Sequence, residues 1–277
     1  MTHNRPIVES LQEYGRGLAG GLLFSLPLLY TMEVWFTGFI AAPWRLLVYL
    51  AATFALLLGY NNYAGIRHDS DWTDVVVDSF EELGLGLVTA TGLLMLLGRL
   101  DASQSWREII GKIVVEAGIV AIGFSVGTAQ LGTGENEQEG RGSETAASVS
   151  SQAVIALCGA VLFAVNIAPT EEVKVIALEV GPTRLMLIMA LSAALGLMIL
   201  YFSSFARSEK FSKMESKSQA FTGGVITYGI ALMSSAAMLW FFGRFDGCSV
   251  ELAVAQIVVL GLPATLGASA GRLLLQS

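Results

Sequence analysis

The chain has 277 residues, 54% hydrophobic and 14% charged, with a mean hydropathy of +0.63 and a formal net charge of −7. A soluble domain carries roughly a quarter charged residues, so this composition argues against a water-soluble globule. The negative charge, which sits in the loops, argues against nucleic acid as a partner. The apolar residues come in blocks without the alternation of a transmembrane β-barrel, which indicates an all-α polytopic membrane protein, since a helix needs about 20 apolar residues to cross the hydrocarbon.

Eight spans are predicted, at 16–38, 44–60, 80–98, 109–128, 152–170, 184–204, 222–242 and 250–271. The first resembles a signal peptide, with Arg16 before it and "AAP" after it; the duplication described below argues that it is retained. Short interfacial helices are expected around 64–80 and 172–181. Residues 133–151, "TGENEQEGRGSETAASVSS", are polar and lack large apolar side chains, which predicts a flexible linker between a unit at 1–132 and a unit at 152–277. Cys158 and Cys248 fall near opposite faces, so no disulfide is expected.

An even number of spans puts both termini on one side. That side would hold nine Lys and Arg residues, four of them Arg207, Lys210, Lys213 and Lys217, against at most seven on the other. The excess places both termini in the cytoplasm.

A repeat runs through the chain. "GGLLFSLPLLYTMEVW" (20–35) lies over "GAVLFAVNIAPTEEVK" (159–174) without gaps, so Gly20, Thr31 and Glu33 match Gly159, Thr170 and Glu172. At the same offset "APWRL" (42–46) meets "GPTRL" (181–185), pairing Arg45 with Arg184. Further on, "LGRLDAS" (97–103) resembles "FGRFDGC" (242–248), and after a two-residue gap Glu108 meets Glu251 and Gly118 meets Gly261. The reading is two parallel four-helix repeats related by a pseudo-twofold axis along the membrane normal.

The repeated polar residues fall on one face, the predicted outer one. Glu33 and Glu172 are candidate ion-binding carboxylates there, with Arg45 and Arg184 tuning their charge. Paired carboxylates at helix ends can equally be held by these arginines or by the Gly-Arg-x-Asp arginines. Arg99 with Asp101 and Arg244 with Asp246 read as helix-end turn pairs after a terminating glycine. Lys112 and Glu116, four apart in the fourth span, share a helix face. They read as an ion pair with each other, or as a polar lining in which Glu116 also binds the ion; the second half offers Gln256 and Val259 nearby. The acidic stretch "HDSDWTDVVVDSFEELG" (68–84) reads as a solvated interfacial helix or a cation-collecting vestibule.

Enzyme chemistry finds no motif. The two histidines, His3 and His68, lie in a tail and a loop, and no H-E-x-x-H or G-x-S-x-G occurs. No cofactor is expected, and no set of residues specifies a metal.

"PLLYTMEVW", the duplicated four-span layout and the Gly-Arg-x-Asp turns resemble a family of bacterial integral membrane proteins of unknown function. The resemblance covers most of the chain and implies a multi-pass inner-membrane protein. It transfers no site residue. The function expected from the residues is cation movement, as a channel or a cation- or proton-coupled transporter. The alternative is a structural or sensory membrane protein that recruits a partner or anionic lipid through its cytoplasmic loops. Partners left open are membrane lipid, a cation and a second copy of the chain.

Overall fold

The computed structural model describes residues 7–64, 71–130, 149–208 and 217–274. All the secondary structure among them is helical, and the fold is that of a polytopic helical membrane protein. Ten helices follow one another: α1 (Ile7–Leu29), α2 (Met32–Ile40), α3 (Pro43–Ala64), α4 (Trp72–Leu96), α5 (Trp106–Gln130), α6 (Val149–Ile167), α7 (Glu171–Glu179), α8 (Pro182–Ser208), α9 (Lys217–Phe241) and α10 (Val250–Leu274). Among the described residues seven helices are long and apolar enough to cross a membrane, or eight if the bent pair α1–α2 counts as one span. The chain divides into two compact units, Met1–Thr145 and Ala146–Ser277.

Two predicted boundaries change. The first span does not continue to residue 38, because α1 ends at Leu29 and α2 departs from it at 85°. Pro27 has no amide hydrogen to give to the helix, and the Thr31 hydroxyl donates back to the Pro27 carbonyl at 2.7 Å. The Trp35 indole nitrogen then donates to Leu29 O at 3.1 Å and pins the corner. A short helix does occur near 172–181, as α7, and Thr170 bonds back to Ile167 O at 2.8 Å just before it. At 64–80 there is no separate short piece among the described residues; α4 runs unbroken from Trp72, so the acidic stretch forms its first turns. The linker predicted at 133–151 lies outside the described residues except for its last three, which begin α6.

In the first unit α5 is the central helix, packed by α1, α2, α3 and α4. In the second, α10 is packed by α6, α7, α8 and α9. Lipid tails are as apolar as leucine, so close packing of small residues holds such helices together. Gly20 on α1 lies against Gly123 and Gly127 of α5; a Cβ there would come within 2.5 Å of Gly123 O. Gly159 on α6 lies against Gly267 and Gly271 of α10 in the same way, with the Gly271 Cα at 3.3 Å from such a Cβ. Ala90, Ala117 and Val120 fill the α4–α5 seam. The outward residues, such as Leu47, Val88 and Leu96 on one unit and Met186, Leu187 and Met233 on the other, are large and apolar, as a lipid-facing surface requires.

These contacts also correct the predicted register. Gly123 and Gly267, and Gly127 and Gly271, stand 144 residues apart. The Ser105 hydroxyl accepts from Glu108 N, and Ser249, again 144 on, accepts from Leu252 N, both at 3.3 Å. Matched by contact, Glu108 corresponds to Leu252 and Gly118 to Leu262, so the gap is one residue rather than two. A single Glu and a single Gly align easily by chance between two apolar helices.

Candidate functional site

The Gly-Arg-x-Asp segments close α4 and α9. Gly98 and Gly243 take φ of +65° and +70°, the left-handed conformation that a side chain resists. Arg99 N then bonds Leu94 O, and Arg244 N bonds Leu239 O, both at 2.8 Å. That is the Schellman helix ending. Asp101 Oδ1 accepts from Ser103 N at 3.1 Å and shapes the following turn, while Asp246 N donates to Gly243 O at 3.1 Å.

The two arginines reach the short helices. Arg99 lies over the Trp35 ring at 4.0 Å from its centroid. Arg244 forms an ion pair with Glu171. The guanidinium holds the exposed Glu171 carboxyl below the usual range. The carboxylate engaged is therefore Glu171 and not its neighbour Glu172, which is exposed. Glu33 is half-buried in the first turn of α2, where the helix dipole favours negative charge. Among the described residues neither Glu33 nor Glu172 forms an ion pair. Arg45 stacks near Trp44 at 5.7 Å, and Arg184 is exposed at the start of α8. Glu33 and Arg45 belong to the first unit, Glu172 and Arg184 to the second.

Short helix α2 is fixed to the first turns of α5. A Cβ on Gly38 would lie 2.5 Å from Lys112 N, and Arg107 Nη2 donates to Ala41 O at 3.3 Å. Lys112 is buried at 7% exposure. Its ammonium donates to Glu108 Oε1 at 2.6 Å and to Arg99 O at 3.3 Å. The expected pairing with Glu116 is absent. In helices a glutamate four residues before a lysine pairs better than one four residues after it, because side chains lean toward the N-terminus. Here Glu108 holds that favoured place, and the Arg99 carbonyl draws the lysine the same way.

Glu116 is thereby left alone. It is fully buried at 0% exposure, inside the span Trp106–Ala129, and neither carboxylate oxygen has a hydrogen-bond partner among the described residues. It lies two turns before Gly123, on the side of α5 turned toward α1. Gly21 meets Val120 across that seam, so one turn further Ser25 of α1 comes to the level of Glu116. The Ser25 hydroxyl is also buried and without a partner. From α3, the Tyr49 ring packs on Gly118 and its hydroxyl donates to Val115 O at 2.9 Å.

A second polar cluster joins the far end of α5 to α3 and α4. Asn61 Nδ2 donates to Ser79 Oγ at 3.1 Å and to Glu82 Oε2 at 2.7 Å, while Ser125 donates to Asn61 Oδ1 at 2.9 Å. The Tyr14 hydroxyl bonds Glu81. Of the acidic stretch, Glu82 is drawn inward and Glu81 stays at the surface. Sequence reasoning missed Ser25, Tyr49, Asn61, Ser79 and Ser125. The tract "YNNY" (60–63), which closes an apolar run with two amides, was the available signal for Asn61.

The second unit is built differently at each of these places. Gln256 takes the position of Lys112: it is fully buried, and its amide donates to Arg244 O at 3.4 Å, as Lys112 does to Arg99 O. Four residues on, where the first unit has Glu116, stands the buried Leu260. At the other end Arg272 donates to Thr227 Oγ1 at 2.6 Å, to Gly223 O at 3.2 Å and to Gln152.

Residues 13–275 match the family described as "Putative integral membrane protein (DUF2391)". The chain belongs to this family. That membership, the seven long apolar helices and the buried small-residue seams describe an integral, multi-pass membrane protein. No curated protein and no solved structure matches it. Among the described residues no group of three His, Cys, Asp or Glu could hold a metal ion.

Proposed function

We propose that this family member moves a cation across the bacterial inner membrane, and that Glu116 is the group that holds the ion in transit. One observation carries the reading: a fully buried carboxyl in a membrane span with both oxygens unpartnered. An unpaired charge in hydrocarbon is costly, and residues of this kind mark ion and proton pathways. The carboxyl needs a cation, a proton included, or it is a liability. The unit around it then serves to position it. Glu33 in α2 gathers cations at the outer end, and Arg45 moderates its charge. Glu172 and Arg184 are the corresponding pair of the second unit, in a chain that arose by duplication of one unit. Both termini are cytoplasmic, and no substrate is chemically transformed.

The Arg99 and Arg244 contacts favour a purely architectural role for those two arginines, since each fastens a short helix. They leave Glu116 without an architectural role. Part of the basic loop on which the recruiting alternative depends, 209–216, lies outside the described residues.

The test is charge movement into vesicles carrying the purified full chain, with wild type beside Glu116→Leu and Glu116→Gln. The reading expects a current in wild type that both variants abolish. A wild-type current that both variants retain would remove Glu116 from the pathway and the reading with it.

A further inference from the structure

The lone carboxylate is one of three ionisable residues at a spacing of four on one face of α5: Glu108, Lys112 and Glu116. Resting on the reading of Glu116 as the ion-holding group, we infer that the cation is a proton, passed between Glu116 and Glu108 by a change of partner at Lys112.

Metal cations are poorly served here. Calcium and magnesium take about six to eight oxygen ligands, whereas Glu116 offers a single carboxyl and no group of three His, Cys, Asp or Glu that could hold a metal ion exists among the described residues. A proton is the cation that one carboxyl holds by itself. In the structure the ammonium of Lys112 rests on Glu108 and Arg99 O, which leaves Glu116 to be neutralised by a proton. The lysine stands one helical turn from each carboxylate, within pairing distance of both. When Lys112 swings from Glu108 to Glu116, Glu108 loses its counter-ion and is left facing the water at its end of the helix. The exchange balances with water as the carrier over the two turns between the carboxyls: Glu116 gives its proton to water entering with the ammonium, Glu108 takes one from that water, and the lysine stays an ammonium throughout. Glu108 is 22% exposed and lies in the first turn of α5, so its proton can leave to water at that end. Tyr49 of α3, whose hydroxyl donates to Val115 O and whose ring packs on Gly118, is the titratable side chain that approaches Glu116 from another helix. Ser25, level with Glu116 on α1, offers a hydroxyl to the carboxylate once it has lost its proton.

The second unit supplies a substitution for the lysine that keeps its structural bond. Gln256 makes the carbonyl contact of Lys112 without a charge, so Lys112→Gln retains the Arg99 O bond and removes the ammonium that pairs with Glu108, and the switch with it. The experiment uses full-length protein in vesicles with an internal pH dye and imposed proton, sodium and potassium gradients in turn. Lys112→Gln, Lys112→Arg and Glu116→Gln are compared with wild type, and each variant's melting temperature is recorded. The inference expects proton movement without sodium or potassium movement in wild type. It expects a loss of about 100-fold or more in Lys112→Gln and Glu116→Gln, the scale of losing a positioned acid or base. Lys112→Arg should recover part of the rate, and Lys112→Gln should melt close to wild type. Sodium or potassium flux that needs Glu116, without proton flux, would overturn the proton assignment and leave the cation reading standing. Wild-type proton flux in Lys112→Gln would overturn the lysine switch. Proton flux indifferent to Glu116 would overturn both this inference and the reading beneath it.

Discussion

The last helices of the two units, α5 and α10, are both central, both close-packed through glycine, and chemically opposite. Helix α5 carries Glu108, Lys112 and Glu116 into its unit, and α10 places Leu252, Gln256 and Leu260 at the corresponding contacts. Since α10 is packed well without a buried charge, the carboxylate of α5 is not required by the architecture. A group kept where the fold does not need it points to a function. At the other end the contrast reverses: the first unit gathers Asn61, Ser79, Glu82 and Ser125, whereas the second gathers Arg272, Gln152 and Thr227.

The shared part of the comparison breaks first. Gly20→Val and Gly159→Val place methyl groups where the partner backbone already sits. Each should cost about 3 kcal/mol or more, beyond ordinary overpacking because backbone cannot yield. Both variants should fail thermal-stability screening in detergent; a stable Gly159→Val would mean that the second seam is looser than the first.

The next effect separates the units. Glu116→Leu installs the residue of the second unit and removes an unpaired buried carboxyl, a change that should stabilise by about 1–4 kcal/mol while abolishing transport. The mirror change, Leu260→Glu, should lower the melting temperature. A destabilised Glu116→Leu would show that the carboxyl has a structural partner after all.

A smaller difference lies where the short helices dock. Gly38 and Gly111 touch backbone to backbone in the first unit, and the buried Ala177 and Ala255 stand at the corresponding places in the second. Gly111→Ala should therefore cost about 1–3 kcal/mol by overpacking, and Ala255→Gly only about 1 kcal/mol by helix propensity. Melting curves of the two variants, recorded side by side, check the order.

The smallest effect concerns pH. Glu171 is held below its ordinary range by Arg244, so its contribution is present above the unfolded carboxylate range and fades as pH falls through the depressed value. The Glu171 side chain is 61% exposed, so only about a few tenths of a kcal/mol are at stake. Glu171→Gln should lower stability by that small amount at neutral pH and leave the acid end unchanged, which flattens the profile slightly.

Much of the fold was legible because spans follow from length and apolarity alone. The corner after α1 was not, since Pro27 and Thr31 act through backbone and hydroxyl bonds that hydropathy does not register. Glycines 98 and 243 announced their turns, because only a left-handed residue ends a helix that way. Lys112 and Glu116 were found by their spacing, but spacing is symmetric and could not tell which carboxylate the lysine would choose. The Arg99 carbonyl, which decides it, is brought there by a turn from another helix. Ser25 and Tyr49 carried no signal, as a hydroxyl in an apolar run is ordinary until its level against Glu116 is known.

The central claim is that Glu116 sits in its span as a proton-bearing carboxyl without a protein counter-ion. Infrared difference spectroscopy between wild type and Glu116→Gln in lipid at neutral pH tests it most directly. The account predicts a protonated-carboxyl carbonyl band in wild type that the variant lacks, at a frequency typical of weak hydrogen bonding. Equal carboxyl bands in the two proteins, with a carboxylate band lost instead, would show an ionised Glu116 held by a cation and contradict it.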